Sequence, residues 1–138
     1  MSDPAHATPA ERAEYHLAAL RRREEREATA AQALIDDFVT ECLSRGIAPV
    51  PLRARPWSGR GSYRTDRSGW YLRPDRSIGV DVDGRFLVLV VAPVALGRWR
   101  TVPLEPSRPA LQVGRGARDG ESIGLAELLA LRLDDPVR

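Results

Sequence analysis

The sequence predicts one α+β domain: a long N-terminal helix packed on a four- to six-stranded, mostly antiparallel sheet, with a short C-terminal helix. Three observations carry this. After Pro9 there is no Gly or Pro until Gly46. Residues 50–113 break into short apolar runs divided by Gly, Pro and Asp. From Ser122 onward, Leu125, Leu128 and Leu129 return to helical spacing. A chain of 138 residues fits one domain and buries roughly two thirds of its unfolded surface.

Residues 1–8 are expected to be a flexible tail, and 9–138 the domain. Thr8-Pro9-Ala10-Glu11 starts the helix: Thr8 caps, Pro9 suits the first position, and Glu11 completes a capping box. Gly46 followed by Ile47 ends it, because glycine readily takes the left-handed conformation of a helix terminus. At 100° per residue, Leu17, Leu20, Ala28, Ala31, Ile35, Phe38 and Cys42 share one stripe. The block Arg21–Glu27 reads as a solvated face laced with ion pairs, where the helix either breaks or projects.

Residues 46–76 are rich in Arg, Gly and Pro. Val50–Arg55 is expected as an edge strand because proline removes a ladder donor, Ser58–Ser68 as a long loop, and Gly69–Arg73 as a short strand. Ile78, Val80 and Val82 alternate, and Asp83-Gly84 marks a hairpin leading into Phe86–Val91. That run is apolar on both faces and is expected at the centre of the sheet. Gly97–Leu104 and Pro109–Val113 supply one or two more strands, closing a sheet region of 77–121. Ser122 is expected to cap a helix over 122–134.

Composition narrows the chemistry. All 21 basic residues are arginine, and lysine and asparagine are absent, which suggests a high-GC bacterial genome. No lysine means no Walker A lysine and no Schiff base. Two histidines and one cysteine do not make a four-ligand zinc site. No metal, cofactor or catalytic set is expected. The lone Cys42 precludes an intrachain disulfide, and there is no long apolar run or leader-like N-terminus. A cytoplasmic protein away from membranes is expected.

Three sets of residues stand out. Leu17, Leu20, Ala28 and Ala31 are an expected interface, with residues 13–31 contributing to a homodimer. Residues 46–76 hold seven arginines against two aspartates. Within them Arg53, Arg55, Trp57, Arg60, Tyr63, Arg64 and Arg67 combine phosphate-pairing guanidiniums with stacking rings, the composition of a nucleic-acid groove. Gly114, Arg115, Gly116, Arg118 and Ser122 form a glycine-rich turn before the last helix that could hold an anion. Asp81-Val82-Asp83-Gly84 reads as a turn, since the distal ligands of a calcium loop are missing. His6 and His16 are expected on the surface, Cys42 as a buried thiol, and Asp36, Asp37 and Glu41 on the wet helix face. The first functional expectation is a non-enzymatic interaction module that self-associates and binds a protein partner through the long helix or the sheet face. The alternative is nucleic-acid binding by segment 53–76.

Overall fold

The computed structural model describes residues 6–114 and 122–136. Its order is α1 (Pro9–Ser44), β1 (Val50–Pro56), β2 (Tyr63–Tyr71), β3 (Ile78–Asp81), β4 (Phe86–Val88), β5 (Val90–Val91), a 3₁₀ turn (Gly97–Trp99), β6 (Thr101–Val102), β7 (Gln112–Gly114), β8 (Ser122–Gly124) and α2 (Leu125–Asp134). It is an α+β fold with a long first helix, a mostly antiparallel sheet of six strands and a short last helix.

Helix α1 is continuous for 36 residues, about 54 Å at 1.5 Å per residue. Its ends follow the sequence signals. The Thr8 hydroxyl accepts from the Glu11 amide at 3.1 Å. At the other end Gly46 has φ +72°, the Gly46 amide bonds the Leu43 carbonyl, and the Ile47 amide bonds that of Cys42. That pair of bonds is the Schellman closure.

The sheet closes on itself. Its order runs β4-β3-β2-β1-β5, yet β4 and β5 are separated only by Leu89. Residues 86–88 pair antiparallel with β3, and Val90–Val91 pair parallel with the end of β1. Leu89 joins the two: its amide donates to the Ser77 carbonyl at 2.8 Å, and its carbonyl accepts from the Arg55 amide at 2.8 Å. The apolar run 86–91 is therefore the closing segment, and the central positions belong to β2 and β3. The same closure gives β1 neighbours on both sides, so it is not an edge strand.

Two cores follow from this curl. Leu52, Ala54, Tyr71, Leu87, Leu89 and Leu104 fill the inside of the curl. Trp70, Leu72, Ile78, Val80 and Phe86 face outward and lie under Ile35, Phe38 and Cys42 of α1 and Leu125, Leu128 and Leu129 of α2. Trp70 donates Nε1–H to the Ile47 carbonyl at 2.9 Å and meets the Phe38 ring edge-on at 6.1 Å. Helix α1 is also tied to the β3–β4 hairpin, where Gln32 Nε2 donates to the Gly84 carbonyl at 2.8 Å.

Several expected boundaries move. Residues 63–68 form the first part of a nine-residue strand, not a loop. Thr65, Asp66 and Arg67 hide that strand because polar groups occupy its pleat. Between Arg64 and Ser68 the pairing with β1 shifts, since residues 65–67 oppose Leu52 alone. The Thr65 hydroxyl bridges this bulge, donating to the Leu52 carbonyl at 2.6 Å and accepting from the Arg67 amide at 3.2 Å. Gly97–Leu104 is mostly a turn with a two-residue strand, and β7 pairs with β8 in a separate hairpin. Ser122 lies in β8, so it does not cap α2; Gly124 occupies the cap position.

Candidate functional site

Two surfaces stand apart from the packed body. The first is the N-terminal half of α1. Residues 9–26 are exposed except for the half-buried Ala18 and Ala19. Eighteen residues make about 27 Å of helix standing off the domain. Leu17 and Leu20 lie on this stretch, 52% and 48% exposed. The other two expected interface residues are spent on the fold: Ala31 is fully buried in the main core, and Ala28 is half-buried. Glu27 marks where the helix meets the body, its carboxylate accepting from the Leu111 amide at 3.2 Å.

The second surface is built from the arginine-rich segment, which the fold splits in two. Arg53 and Arg64 are cross-strand partners, and both are exposed on the outside of the curl. Arg55 is on the same face of β1 two residues along, with Asp75 among its neighbours. Arg53 Nε bonds the Ser62 hydroxyl at 2.8 Å. Tyr63, by contrast, is buried, its hydroxyl accepting from the Val94 amide at 3.2 Å. Arg67 is turned inward. It donates to Asp81 Oδ2 at 2.9 Å and to the Leu104 carbonyl at 3.0 Å, and its Nε lies 3.6 Å from Asp66. Arg73 bonds the Gly114 carbonyl, and Arg76 lies over the Tyr71 ring at 5.1 Å. Arg67 and Arg73 thus tie the fold together, while Arg76 is exposed with its guanidinium over the Tyr71 ring.

The topology adds residues that the sequence did not single out. β1 and β5 run parallel, so the loops leaving them, 57–62 and 92–100, emerge at the same end. Those loops return as β2 and β6, whose first residues also pair in parallel, Arg64 with Thr101. This end carries Trp57, Leu96 and Trp99, each about 70% exposed. Gly97 rests against the Tyr63 ring, which seats loop 92–100 on the sheet. Between the loops is a recess of about 340 Å³ lined by Arg60, Tyr63, Arg98 and Trp99, among others. Leu96 has φ +57°, an uncommon conformation for a branched side chain. Trp99 escaped notice because Gly97–Leu104 reads as a strand, where a tryptophan is an ordinary core residue.

The remaining candidates do not converge. Gly114 ends β7 opposite Ser122. Arg115, Gly116 and Arg118 lie outside the described residues. Cys42 is fully buried; burial pushes its thiol pKa up, against the lowering influence of Arg132 and Arg45. His16 is exposed beside Tyr15, and His6 is exposed. Asp36 accepts from Gln32 and lies beside Gly84 of the β3–β4 turn, and the half-buried Glu41, in the groove next to α2, pairs with Arg45 at 2.6 Å. Asp81 is a turn organiser: its Oδ1 accepts from the amides of Asp83 and Arg85, each at 2.9 Å.

No protein-family model matches the chain, and neither the curated proteins nor the solved structures yield a match. Among the described residues, no helix is long and apolar enough to cross a membrane.

Proposed function

We propose that this protein is a non-enzymatic interaction module that self-associates through the projecting half of α1. The observation that carries the reading is the exposure of Leu17 and Leu20 on a helix that outruns its own domain. The apolar parts of the sheet are already covered, the outer one by the helices and the inner one by the curl itself, and the outer flank left open carries Arg53, Arg55 and Arg64. That favours the helix over the sheet as the adhesive surface.

A second copy is the occupant that suits this stretch. Two-fold pairing of like helices, antiparallel about Leu17 and Leu20, stacks these leucines on each other. At 100° per residue Glu14 and Arg21 fall on the same flank of the leucine stripe. An antiparallel copy therefore sets Glu14 of one chain near Arg21 of the other, twice by symmetry.

Sedimentation equilibrium tests this. The expected result is a dimer at micromolar concentration that Leu17→Arg/Leu20→Arg converts to a folded monomer. Glu14→Arg should weaken the dimer, and Glu14→Arg/Arg21→Glu should recover it. A parent protein that stays monomeric at about ten times that concentration overturns the reading, as does a dimer indifferent to the leucine changes.

A further inference from the structure

We propose that the loop end of the sheet, with the flank formed by Arg53 and Arg64, binds single-stranded nucleic acid. The site is independent of the projecting helix. It takes Trp57 and Arg60 from one loop and Arg98, Trp99 and Arg100 from the other. It leaves out Arg67 and Arg73, which tie the fold together, and Arg76, which lies over the Tyr71 ring.

The charge pattern is the first support. Residues 50–65 and 86–104 contribute the whole end and flank. They hold six arginines and no aspartate or glutamate. Arg60, Arg64, Arg98 and Arg100 are all exposed, and no carboxylate pairs with them among the described residues. Elsewhere acids lie among the arginines: α1 holds five arginines and eight acidic residues, and Arg45 and Arg67 have acidic partners. Codon bias toward arginine raises the count everywhere, but it does not strip acids from two separate segments that meet in space.

The rings are the second support. Trp57 and Trp99 expose most of their surface in a domain that buries its third tryptophan, Trp70, almost completely. A solvated indole presents a face on which any base can stack. In a duplex the bases are already stacked on each other, so such faces suit a single strand. Arg98 lies over one face of the Trp99 ring, 5.9 Å from its centre, so a base would stack on the opposite face. The polar groups near the rings are hydroxyls and guanidiniums: Ser58, Ser62, Thr101 and the arginines. Such groups commonly bind phosphate and sugar, and stacking on the indoles accepts any base, so recognition is tolerant of sequence.

An anionic lipid surface would also attract tryptophan and arginine. The placement of Arg53 and Arg64 favours the nucleic acid. They lie on the side of the sheet, along the strands, and continue the positive track away from the loop tips. A planar membrane resting on the tips would leave this flank unused, whereas a flexible strand can turn the corner.

The test is fluorescence anisotropy of the full chain with labelled twelve-nucleotide oligo-dT and oligo-U at low salt. Vesicles containing phosphatidylserine form the competing arm. Binding should weaken with salt, with a log–log slope near −3 if about four or five phosphates are neutralised. Trp99→Ala and Trp57→Ala should each weaken binding roughly tenfold, on the scale of one lost base stack. Arg64→Gln/Arg98→Gln should flatten the slope by about 1.4, while Arg85→Gln, on the β3–β4 turn, should change neither quantity. All five positions are exposed, and unchanged melting temperatures would confirm intact folds. Absence of binding to either oligonucleotide overturns the proposal. So does binding that Arg85→Gln weakens as much as Arg64→Gln/Arg98→Gln, or capture by vesicles alone.

Discussion

Arg67 donates a 2.9 Å hydrogen bond to Asp81, a carboxylate only 2% exposed. This one contact joins the β2 bulge to the β3–β4 turn. The same guanidinium reaches the Leu104 carbonyl, and Asp66 accepts from the Leu104 amide at 3.1 Å, so segment 102–107 is fastened as well. Removing Asp81 leaves a half-buried cation and two turn amides without their acceptor. Asp81→Ala should cost about 3–5 kcal/mol. Asp81→Asn keeps an acceptor for the amides and should cost roughly half as much. Urea unfolding of the two variants gives both values; equal losses would mean that the two amide contacts contribute nothing beyond the ion pair.

Gly69 lies where β2 and β3 approach most closely. A Cβ there would overlap the Val80 carbonyl and the Asp81 backbone, and neither can rotate away. Gly69→Ala should therefore destabilise by at least about 2 kcal/mol. Gly114, on β7, faces open space. Gly114→Ala should stay within about 0.5 kcal/mol of the parent. Thermal unfolding of the pair checks the contrast, and a mild effect at Gly69 would show that the two strands can separate without loss.

Asp75 has a carboxyl held below its ordinary range. Burial acts to raise its pKa, but the Ser77 hydroxyl and amide, at 2.6 and 3.0 Å, outweigh burial, with Arg73 and Arg55 adding to them. A depressed folded-state pKa means that the stabilisation is present above the unfolded value. It is lost as pH falls through the folded one. The window therefore lies below about pH 4. The side chain is half-exposed, so the effect on global stability is small. Ser77→Ala removes the hydroxyl contact and should move the Asp75 titration upward by NMR; an unmoved titration would leave the amide and the arginines as the whole cause.

The two ends of α1 and the β3–β4 hairpin were legible in the sequence because short-range chemistry decides them. Thr8, Gly46 and Asp83-Gly84 each act within a few residues of themselves. The β2 strand was not legible over 63–68, because its pleat is filled by Thr65 and Arg67, whose partners are distant. Ser122 shows the opposite failure: a good capping residue just ahead of a helix is drawn into β8 by pairing with Gly114. The arginine segment was recognisable as a charged stretch. Only the fold could divide it into Arg53, Arg60 and Arg64, which face solvent, and Arg67 and Arg73, which turn in to hold the structure. Trp99 joined the candidate surface through the parallel pairing of β1 with β5, a relation between residues 35 positions apart.

Closure at Leu89 bears on how the molecule comes apart. An open sheet can shed its outermost strand and keep the rest, so its loss of structure begins as fraying. A ring offers no such starting point. Because one residue holds Ser77 on one side and Arg55 on the other, releasing the 86–91 segment strips β3 and β1 of a neighbour in the same event. It also opens the inner core to water through Leu87 and Leu89. The ring of β1, β2, β3 and residues 86–91 therefore has two states, shut and undone, and baring the edges of β1 or β3 to other chains requires the ring to open; the short β6, paired with β2 off this ring, stays outside that requirement.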